Sequence, residues 1–215
     1  PKVSSQLTLN DAAELLGIRS FDINVDITGA TIDSRKVKKG DLFVAIVGEH
    51  SNGHHYISAA REAGASVALV SKFQNDNLPQ LVVNDVVKGF GKLAAYWRKQ
   101  CDCKVIAVTG SNGKTTVKEM LAAILSQNHH IIATEGNLNN NLGVPLSLFR
   151  IQKDTDYAVI EMGANHAGEI AELVKLASPT VSLINNVSEA HIEGFGSIEG
   201  VVKAKSEIYS NLPSD

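Results

Sequence analysis

The sequence predicts an α/β protein in two parts: a small N-terminal α/β domain, then a P-loop-type domain with a mostly parallel, doubly wound sheet. Short apolar runs bounded by glycine, such as 41–47, are typical of buried strands. From about residue 84, strands alternate with helices, and parallel strands need such crossover connections. A glycine-containing turn at 110–113 joins an apolar strand to a helix. We therefore predict domains at residues 1–83 and 84–215.

In the first part, a helix is predicted over residues 8–16. Thr8 can cap this helix, Asp11 lies at its third position, and Gly17 can end it. The polar stretch at 71–79 contains Asn, Asp and Pro, which favour a loop. The other predicted elements are extended segments within 21–33, strands at 41–47, 66–70 and 80–83, and a helix at 54–63.

In the second part, apolar strand patterns and longer amphipathic patterns follow one another in regular alternation. This order predicts a doubly wound sheet, in which ligands bind beyond the carboxyl ends of the strands. The predicted strands are 104–109, 130–134, 156–162 and 180–184, and the predicted helices are 86–100, 114–127, 144–149, 168–177 and 198–211.

Charge and composition exclude several classes of protein. The 20 Lys and Arg residues are outnumbered by 23 Asp and Glu, and only 5% of residues are aromatic, so we expect no nucleic-acid partner. No stretch approaches the roughly 18–20 apolar residues of a membrane helix, and we expect no membrane insertion. Cys101 and Cys103 are too close in sequence for good disulfide geometry. Both are predicted to be thiols in a reducing cytoplasm.

The strongest local signal is the run V-I-A-V-T-G-S-N-G-K-T-T at 105–116. Glycines let backbone N–H groups cradle phosphate oxygens, and the following helix adds its positive dipole end. Lys114 would reach the β- and γ-phosphates, and the Thr115 hydroxyl would hold Mg²⁺. The run departs from the strict P-loop pattern because Val108 stands where that pattern has its first glycine. The predicted ATP-binding residues are Gly110, Ser111, Asn112, Gly113, Lys114, Thr115 and Thr116.

Three further residues are candidates for a metal centre. Glu161 ends an apolar strand, where a charged side chain is costly unless it is paired or metal-bound. His191 follows another strand, but Mg²⁺ prefers oxygen ligands, so its pattern alone favours a structural role. Spacing alone places Lys205 on the surface of the last helix and pairs Lys203 with Glu199.

Six stretches together resemble the Mur ligases, the ATP-dependent amide-bond ligases of peptidoglycan precursor synthesis. The phosphate loop is common to all of these ligases and to folylpolyglutamate synthetases, whereas 136–148 and 158–170 resemble the branch that adds D-alanyl-D-alanine. The resemblance covers essentially the whole chain. The stretches are T-I-D-S-R-K-V-K-K-G-D-L-F-V-A-I-V-G-E-H (31–50), T-G-S-N-G-K-T-T (109–116), G-N-L-N-N-N-L-G-V-P-L-S-L (136–148), A-V-I-E-M-G-A-N-H-A-G-E-I (158–170), N-N-V-S-E-A-H-I-E-G-F-G-S (185–197) and K-A-K-S-E-I (203–208).

The resemblance implies roles for individual residues. Lys114, Glu161, His191 and Lys205 would be catalytic, and Thr115, Glu161 and His191 would bind metal. Lys205 matches a lysine that CO₂ carbamylates in related ligases, and a carbamate is an oxygen ligand of the kind Mg²⁺ prefers. The implied substrate-binding residues are Ser34 and Arg35, for the diphosphate of a UDP group, and Asn139, Asn140, Asn165 and His166, for the muramoyl peptide. Alternatively, Asp33 and Arg35 merely pair within a turn.

The implied reaction joins the carboxylate of UDP-N-acetylmuramoyl-tripeptide to the amine of D-alanyl-D-alanine, with ATP and two Mg²⁺ ions, in a cytoplasmic monomer. ATP would phosphorylate the carboxylate, the amine would attack the acyl phosphate, and phosphate would leave. Family members are longer, so we expect this chain to be an N-terminal portion that is inactive alone. The alternatives are another Mur-type or folylpolyglutamate-type ligase, and a nucleotide-sugar binding module without turnover.

Overall fold

A computed structural model describes residues 7–214 of the chain. The chain divides into two compact units, with the division between Leu93 and Ala94. The division falls within a helix at Val86–Lys99. Each unit is built around a parallel four-stranded sheet.

The first unit contains a parallel sheet of strand order β3-β4-β5-β6 and a separate antiparallel pair, β1 and β2. Its α1 helix begins as the sequence predicts, since Thr8 and Asp11 form a capping box. Phe43, Ala68 and Val70 from the sheet pack with Ile57 and Ala60 of α2 to form a buried core. The elements are β1 (Leu7–Thr8), α1 (Leu9–Leu15), β2 (Asp26–Ile27), β3 (Gly29–Thr31), β4 (Asp41–Val44), α2 (Ile57–Ala63), β5 (Val67–Val70), β6 (Gln80–Val82) and α3 (Val86–Lys99), which runs on past Leu93.

The second unit has a parallel sheet of strand order β10-β7-β9-β8. Strands β7 and β9 are central neighbours, and Val108 pairs in register with Glu161. The carboxyl ends of these two strands therefore lie side by side, at the edge where open α/β sheets bind ligands. The elements are β7 (Lys104–Thr109), α4 (Lys114–Leu125), β8 (Ile131–Ala133), α5 (Gly143–Leu148), β9 (Tyr157–Glu161), α6 (Glu169–Ala177), β10 (Val181–Ile184), α7 (Ile192–Phe195) and α8 (Ile198–Ser206).

The structure differs from the predicted elements at a few places. Strand β4 ends at Val44 instead of residue 47, because Val47 turns back to form an antiparallel bridge with Asn52. The predicted helix at 54–63 begins with a 3₁₀ turn, Gly53–Tyr56. The predicted last helix ends at Ser206 and continues as another 3₁₀ turn. The four-residue helix α7 was not predicted.

Both cysteines are thiols, as predicted. The Sγ of Cys101 donates to the carbonyl of Trp97, and the Sγ of Cys103 donates to the carbonyl of Lys104. Burial raises the pKa of the Cys103 thiol to about 11. No helix between residues 7 and 214 is long and apolar enough to cross a bilayer.

A buried arginine holds several carbonyl groups of the second unit. The Arg98 guanidinium, in the last turn of α3, donates to the carbonyls of Ala177 at 2.9 Å, Ser178 at 3.2 Å and Cys101 at 3.2 Å. Burial lowers the pKa of Arg98 below its usual range. Ser178 ends α6 with a φ of 43°, so its carbonyl lies outside the regular helix pattern.

We expect Arg98→Met to lower the free energy of unfolding by about 2–3 kcal/mol, since it leaves buried carbonyl groups without their donor. Urea unfolding followed by circular dichroism measures the change. The matched control is Arg19→Met, at an exposed arginine, which should have a negligible effect. Equal stability of the two variants would contradict the proposed role of Arg98.

Candidate functional site

The loop between β7 and α4 has the geometry of an anion site. Gly113 precedes the helix with a φ of 74°, a conformation that favours glycine. The N-cap residue Gly113 provides no side-chain cap, so the first N–H groups of α4 and its positive dipole end can attract an anion. The Lys114 ammonium folds back over the loop and donates to the Gly110 carbonyl at 2.9 Å.

A second segment, which follows β10, holds the phosphate loop in shape. The Asn112 carbonyl accepts hydrogen bonds from the side-chain amides of Asn185, at 2.7 Å, and Asn186, at 2.6 Å. The N–H groups of Ser111 and Asn112 donate to the Asn186 carbonyl and side chain, respectively. Ser111 and Ser188 add a reciprocal pair of bonds. The backbone N–H groups of two predicted ATP-binding residues are therefore hydrogen-bonded to Asn186. The local sequence did not reveal this partner.

The contact between the two segments requires glycine at position 110. A Cβ atom at Gly110 would overlap the Asn185 side chain, and one at Gly113 would lie 3.2 Å from its Nδ2 atom. Asn185 Oδ1 is buried and has no hydrogen-bond partner among the described residues. The glycines of the loop therefore serve this tertiary contact in addition to the turn itself.

Thr115 and Glu161 come together at the carboxyl ends of β7 and β9. The Thr115 hydroxyl donates to Glu161 Oε1 at 3.0 Å. Glu161 is only 1% exposed, and its Oε2 atom has no hydrogen-bond partner among the described residues. A buried carboxylate oxygen without a partner calls for a cation. The hydroxyl and carboxylate oxygens fit Mg²⁺, which uses few protein ligands together with water and phosphate.

Lys205 is buried, not on the surface as its helix spacing suggests. The residue is 2% exposed, and its Nζ lies 5.9 Å from the centroid of the Phe195 ring. Burial lowers the pKa of Lys205, and the nearby positive charge of Lys114 lowers it further. The structure therefore brings the two predicted lysines close enough to influence each other, and it raises the neutral fraction of Lys205 above that of an ordinary lysine.

The structure does not join His191 to this cluster. His191 is exposed and precedes α7 as its N-cap residue, with a φ of 61°. Within residues 7–214, no hydrogen bond or ion pair links His191 to Glu161, and no group of three or more His, Cys, Asp and Glu side chains could hold a metal ion. The predicted ion pair between Glu199 and Lys203 does not form between these described residues either.

The four residues predicted to contact the muramoyl peptide lie in two loops of the second unit. The Asn139 carbonyl accepts from the Gly163 N–H at 2.9 Å, which joins the loops. The Asn140 side chain is used locally, since its Oδ1 accepts from the Gly143 N–H at the start of α5. The Asn165 N–H donates to the Glu169 carboxylate.

His166, the last of the four, is exposed, but a hydrogen bond fixes the orientation of its imidazole ring. Its Nδ1 lies 3.0 Å from Glu169 Oε1, at the first residue of α6. Two bonds therefore tie the loop before α6 to the same carboxylate, since Asn165 contacts it as well. An exposed imidazole held in this way is available to a ligand.

The first unit contains a cavity of about 530 Å³ beside Ser34 and Arg35. Asp33 binds Arg35 through two side-chain hydrogen bonds, of 2.9 and 2.8 Å, so the two residues do pair within a turn, whether or not Arg35 also contacts a substrate. These bonds lower the pKa of Asp33 to about 2. The Arg35 side chain remains 86% exposed at the cavity. Tyr56 also lines the cavity and was not predicted from the sequence.

Comparison of the sequence with protein families identifies the family of the chain. The profile of the Mur ligase middle domain matches residues 108–215, which is half of the chain. The chain belongs to the Mur ligase family. The profile of the Mur ligase family catalytic domain also matches, over residues 26–129. The family predicted from the sequence is therefore confirmed.

Individual proteins similar to this Mur ligase chain include curated relatives and solved structures. The UDP-N-acetylmuramoyl-tripeptide--D-alanyl-D-alanine ligase of Escherichia coli (strain K12) is 48% identical over 209 residues, which are 97% of this chain and 46% of the relative. MurF from Acinetobacter baumannii is similar in structure, with a TM-score of 0.81, 39% identity, and coverage of 94% of this chain and 46% of that one.

MurF ligase from Thermotoga maritima, solved in complex with ADP, has a TM-score of 0.76 and 35% identity, over 87% of this chain and 44% of that one. These similarities confirm the predicted α/β fold. The chain spans somewhat less than half the length of the relatives it matches.

We expect Gly110→Ala to weaken binding of ADP to this Mur ligase chain at least about tenfold, because the new methyl group displaces Asn185 and so distorts the phosphate loop. Calorimetry measures the dissociation constant. Gly89→Ala is the matched control, since a Cβ there meets nothing closer than 3.4 Å. Equal ADP affinity of the two variants would show that the contact with Asn185 does not shape the loop.

Proposed function

We propose that the chain is part of an ATP-dependent ligase that joins D-alanyl-D-alanine to UDP-N-acetylmuramoyl-tripeptide. The observation that carries the proposal is the pairing of Thr115 with the buried Glu161 beside an uncapped helix start, an arrangement suited to magnesium and nucleotide phosphates. The names of the relatives support the substrates. The ADP complex of a similar structure supports the nucleotide.

The chemistry requires positioning and charge neutralisation more than a protein nucleophile. ATP phosphorylates the tripeptide carboxylate, the amine of D-alanyl-D-alanine attacks the acyl phosphate, and inorganic phosphate leaves. Lys114 and the N-terminus of α4 offset the negative charge that develops on the transferred phosphoryl group. Bound Mg²⁺ would neutralise phosphate charge further, held by Thr115 and Glu161.

Lys205 is proposed as the site of a carbamate that supplies oxygen ligands to a second Mg²⁺. Carbamylation needs the neutral amine, and both burial and Lys114 favour that form. His191 stays a proposed ligand from the family resemblance alone.

The cavity of the first unit is proposed to bind the UDP group. Its size suits a ligand of this class, and Ser34, Arg35 and Tyr56 offer a hydroxyl, a guanidinium and an aromatic ring. A guanidinium is suited to a diphosphate. For the muramoyl peptide, Asn139, Asn165 and His166 are proposed as contacts, whereas the Asn140 side chain is already engaged at α5.

The proposed substrates are cytoplasmic precursors, so we place the protein in the cytoplasm. A monomer suffices, because one copy of the chain contains every residue assigned here. Residues outside this chain would supply the adenine and D-alanyl-D-alanine contacts in a full-length ligase. A nucleotide-sugar binding module without turnover is the second candidate, and the following experiment separates it from the first.

We expect Lys114→Ala to weaken Mg-ATP binding about 10- to 100-fold, the usual effect of removing a charge-assisted hydrogen bond, and to leave UDP-N-acetylmuramoyl-tripeptide binding unchanged. Arg35→Ala should show the opposite pattern. Calorimetry on the whole chain measures both ligands, and Lys175→Ala, at an exposed lysine of α6, is the control. Binding of the UDP compound without any ATP binding would favour the binding module.

We expect ¹³C-bicarbonate to give a carbamate resonance in the NMR spectrum of the chain, and Lys205→Met to remove it. Because the pKa of Lys205 is lowered, its neutral fraction is larger than that of an ordinary lysine at any pH below the usual lysine range. Lys203→Met, at an exposed lysine of the same helix, should keep the resonance. A resonance that survives Lys205→Met would place the carbamate elsewhere.

A further inference from the structure

The second unit contains another buried lysine, Lys118, which has no part in the reaction described above. Lys118 lies in α4, three residues after Thr115 and four after Lys114, so it shares their face of the helix one turn further along. The residue is completely buried. A buried ammonium group is costly unless it is well paired, so its position needs a reason.

The ammonium group of Lys118 is bound on two sides. Its Nζ donates to the Thr134 carbonyl at 2.7 Å and lies 3.1 Å from Glu119 Oε1, a carboxylate that is mostly exposed to solvent. Thr134 directly follows β8 and is itself buried. Lys118 therefore fastens the second turn of α4 to the end of β8.

Thr134 in turn holds Glu161. The Thr134 hydroxyl accepts a hydrogen bond from the Glu161 N–H at 2.9 Å, and the Thr134 N–H donates to the Val159 carbonyl in β9. One residue thus binds Lys118 through its carbonyl group and the backbone of Glu161 through its hydroxyl group. Glu161 is then connected to α4 by two routes: directly through Thr115, and indirectly through Thr134 and Lys118.

We propose that Lys118 is a positioning residue for magnesium: through Thr134 it fixes the backbone of Glu161, so that the carboxylate meets the Thr115 hydroxyl at the metal-binding edge. This inference rests on the proposed function, since it assumes that Glu161 and Thr115 hold Mg²⁺ beside a nucleotide. Outer-shell partners of this kind orient metal ligands that would otherwise adopt several positions.

The test is the gain in ADP affinity that Mg²⁺ produces. Calorimetry on the whole chain gives the dissociation constant of ADP in excess Mg²⁺ and in EDTA, and the ratio of the two is the magnesium gain. We expect Lys118→Met and Thr134→Val each to lower this ratio at least about tenfold, the usual cost of losing an outer-shell partner. The affinity in EDTA should not change, because Lys118 acts on the metal ligands and not on the loop.

Matched variants separate positioning from packing. Thr134→Ser keeps the hydroxyl group and should keep the magnesium gain, and Lys175→Met controls for the loss of an exposed lysine. The double variant Lys118→Met with Thr134→Val should lose no more than either single variant, because both interrupt one connection. Circular dichroism shows which variants are folded, and Thr134→Val decides the question if Lys118→Met does not fold.

Two results would overturn this inference while leaving the proposed metal site intact. One is an undiminished magnesium gain in both Lys118→Met and Thr134→Val. The other is an equal loss of ADP affinity in EDTA and in Mg²⁺, which would indicate a general structural role. A wild-type chain whose ADP affinity does not respond to Mg²⁺ would instead overturn the proposed metal site, and this inference with it. The two failures are therefore distinguishable.

Discussion

The burial of the Glu161 carboxylate is the constraint on which the second unit depends. A buried carboxylate is unfavourable when one oxygen is bound to Thr115 and the other has no partner among the described residues. It persists because the parallel pairing of β7 and β9 sets the strand end, and α4 covers it. The fold thus maintains a local electrostatic cost that a bound cation would relieve, which is the common compromise between stability and activity at functional sites.

Around Glu161, polar side chains in loops form hydrogen bonds that the sequence alone does not reveal. Asn185 and Asn186 hold the phosphate loop from the segment after β10. Thr134 holds Glu161 from the segment after β8. All of these residues follow strand ends of one parallel sheet, so strand order, not sequence proximity, brings them together. The result is a preorganised edge in which each loop is supported by a neighbouring one.

Much of the fold could be predicted because its signals are local. Strand β7 has the bounds that its apolar pattern indicates, and the capping box at Thr8 and Asp11 places the start of α1. The helix α7 could not be predicted, because four residues with two flanking or internal glycines carry no periodic pattern. Strand β4 is shorter than predicted because the chain turns at Val47, which forms a local bridge with Asn52 that the apolar pattern does not reveal.

The candidate site was predictable only in part, for a related reason. Lys114, Thr115 and Glu161 follow from a strand, a turn and a helix in sequence, but the burial of Lys205 and Lys118 depends on which helix face meets the sheet. The spacing of residues along a helix does not by itself distinguish a buried lysine from an exposed one. The resemblance to the Mur ligases, and not the pattern, identified Lys205, and nothing in the sequence identified Lys118.

The chemistry of the two native cysteines has a practical consequence. Cys101 and Cys103 are both buried, and the thiolate form of Cys103 is scarce near neutral pH because its pKa is about 11. Thiolates are the species that react with maleimides and iodoacetamides. A cysteine introduced at an exposed position should therefore accept a fluorophore or spin label selectively in the folded chain, with both native cysteines left in place.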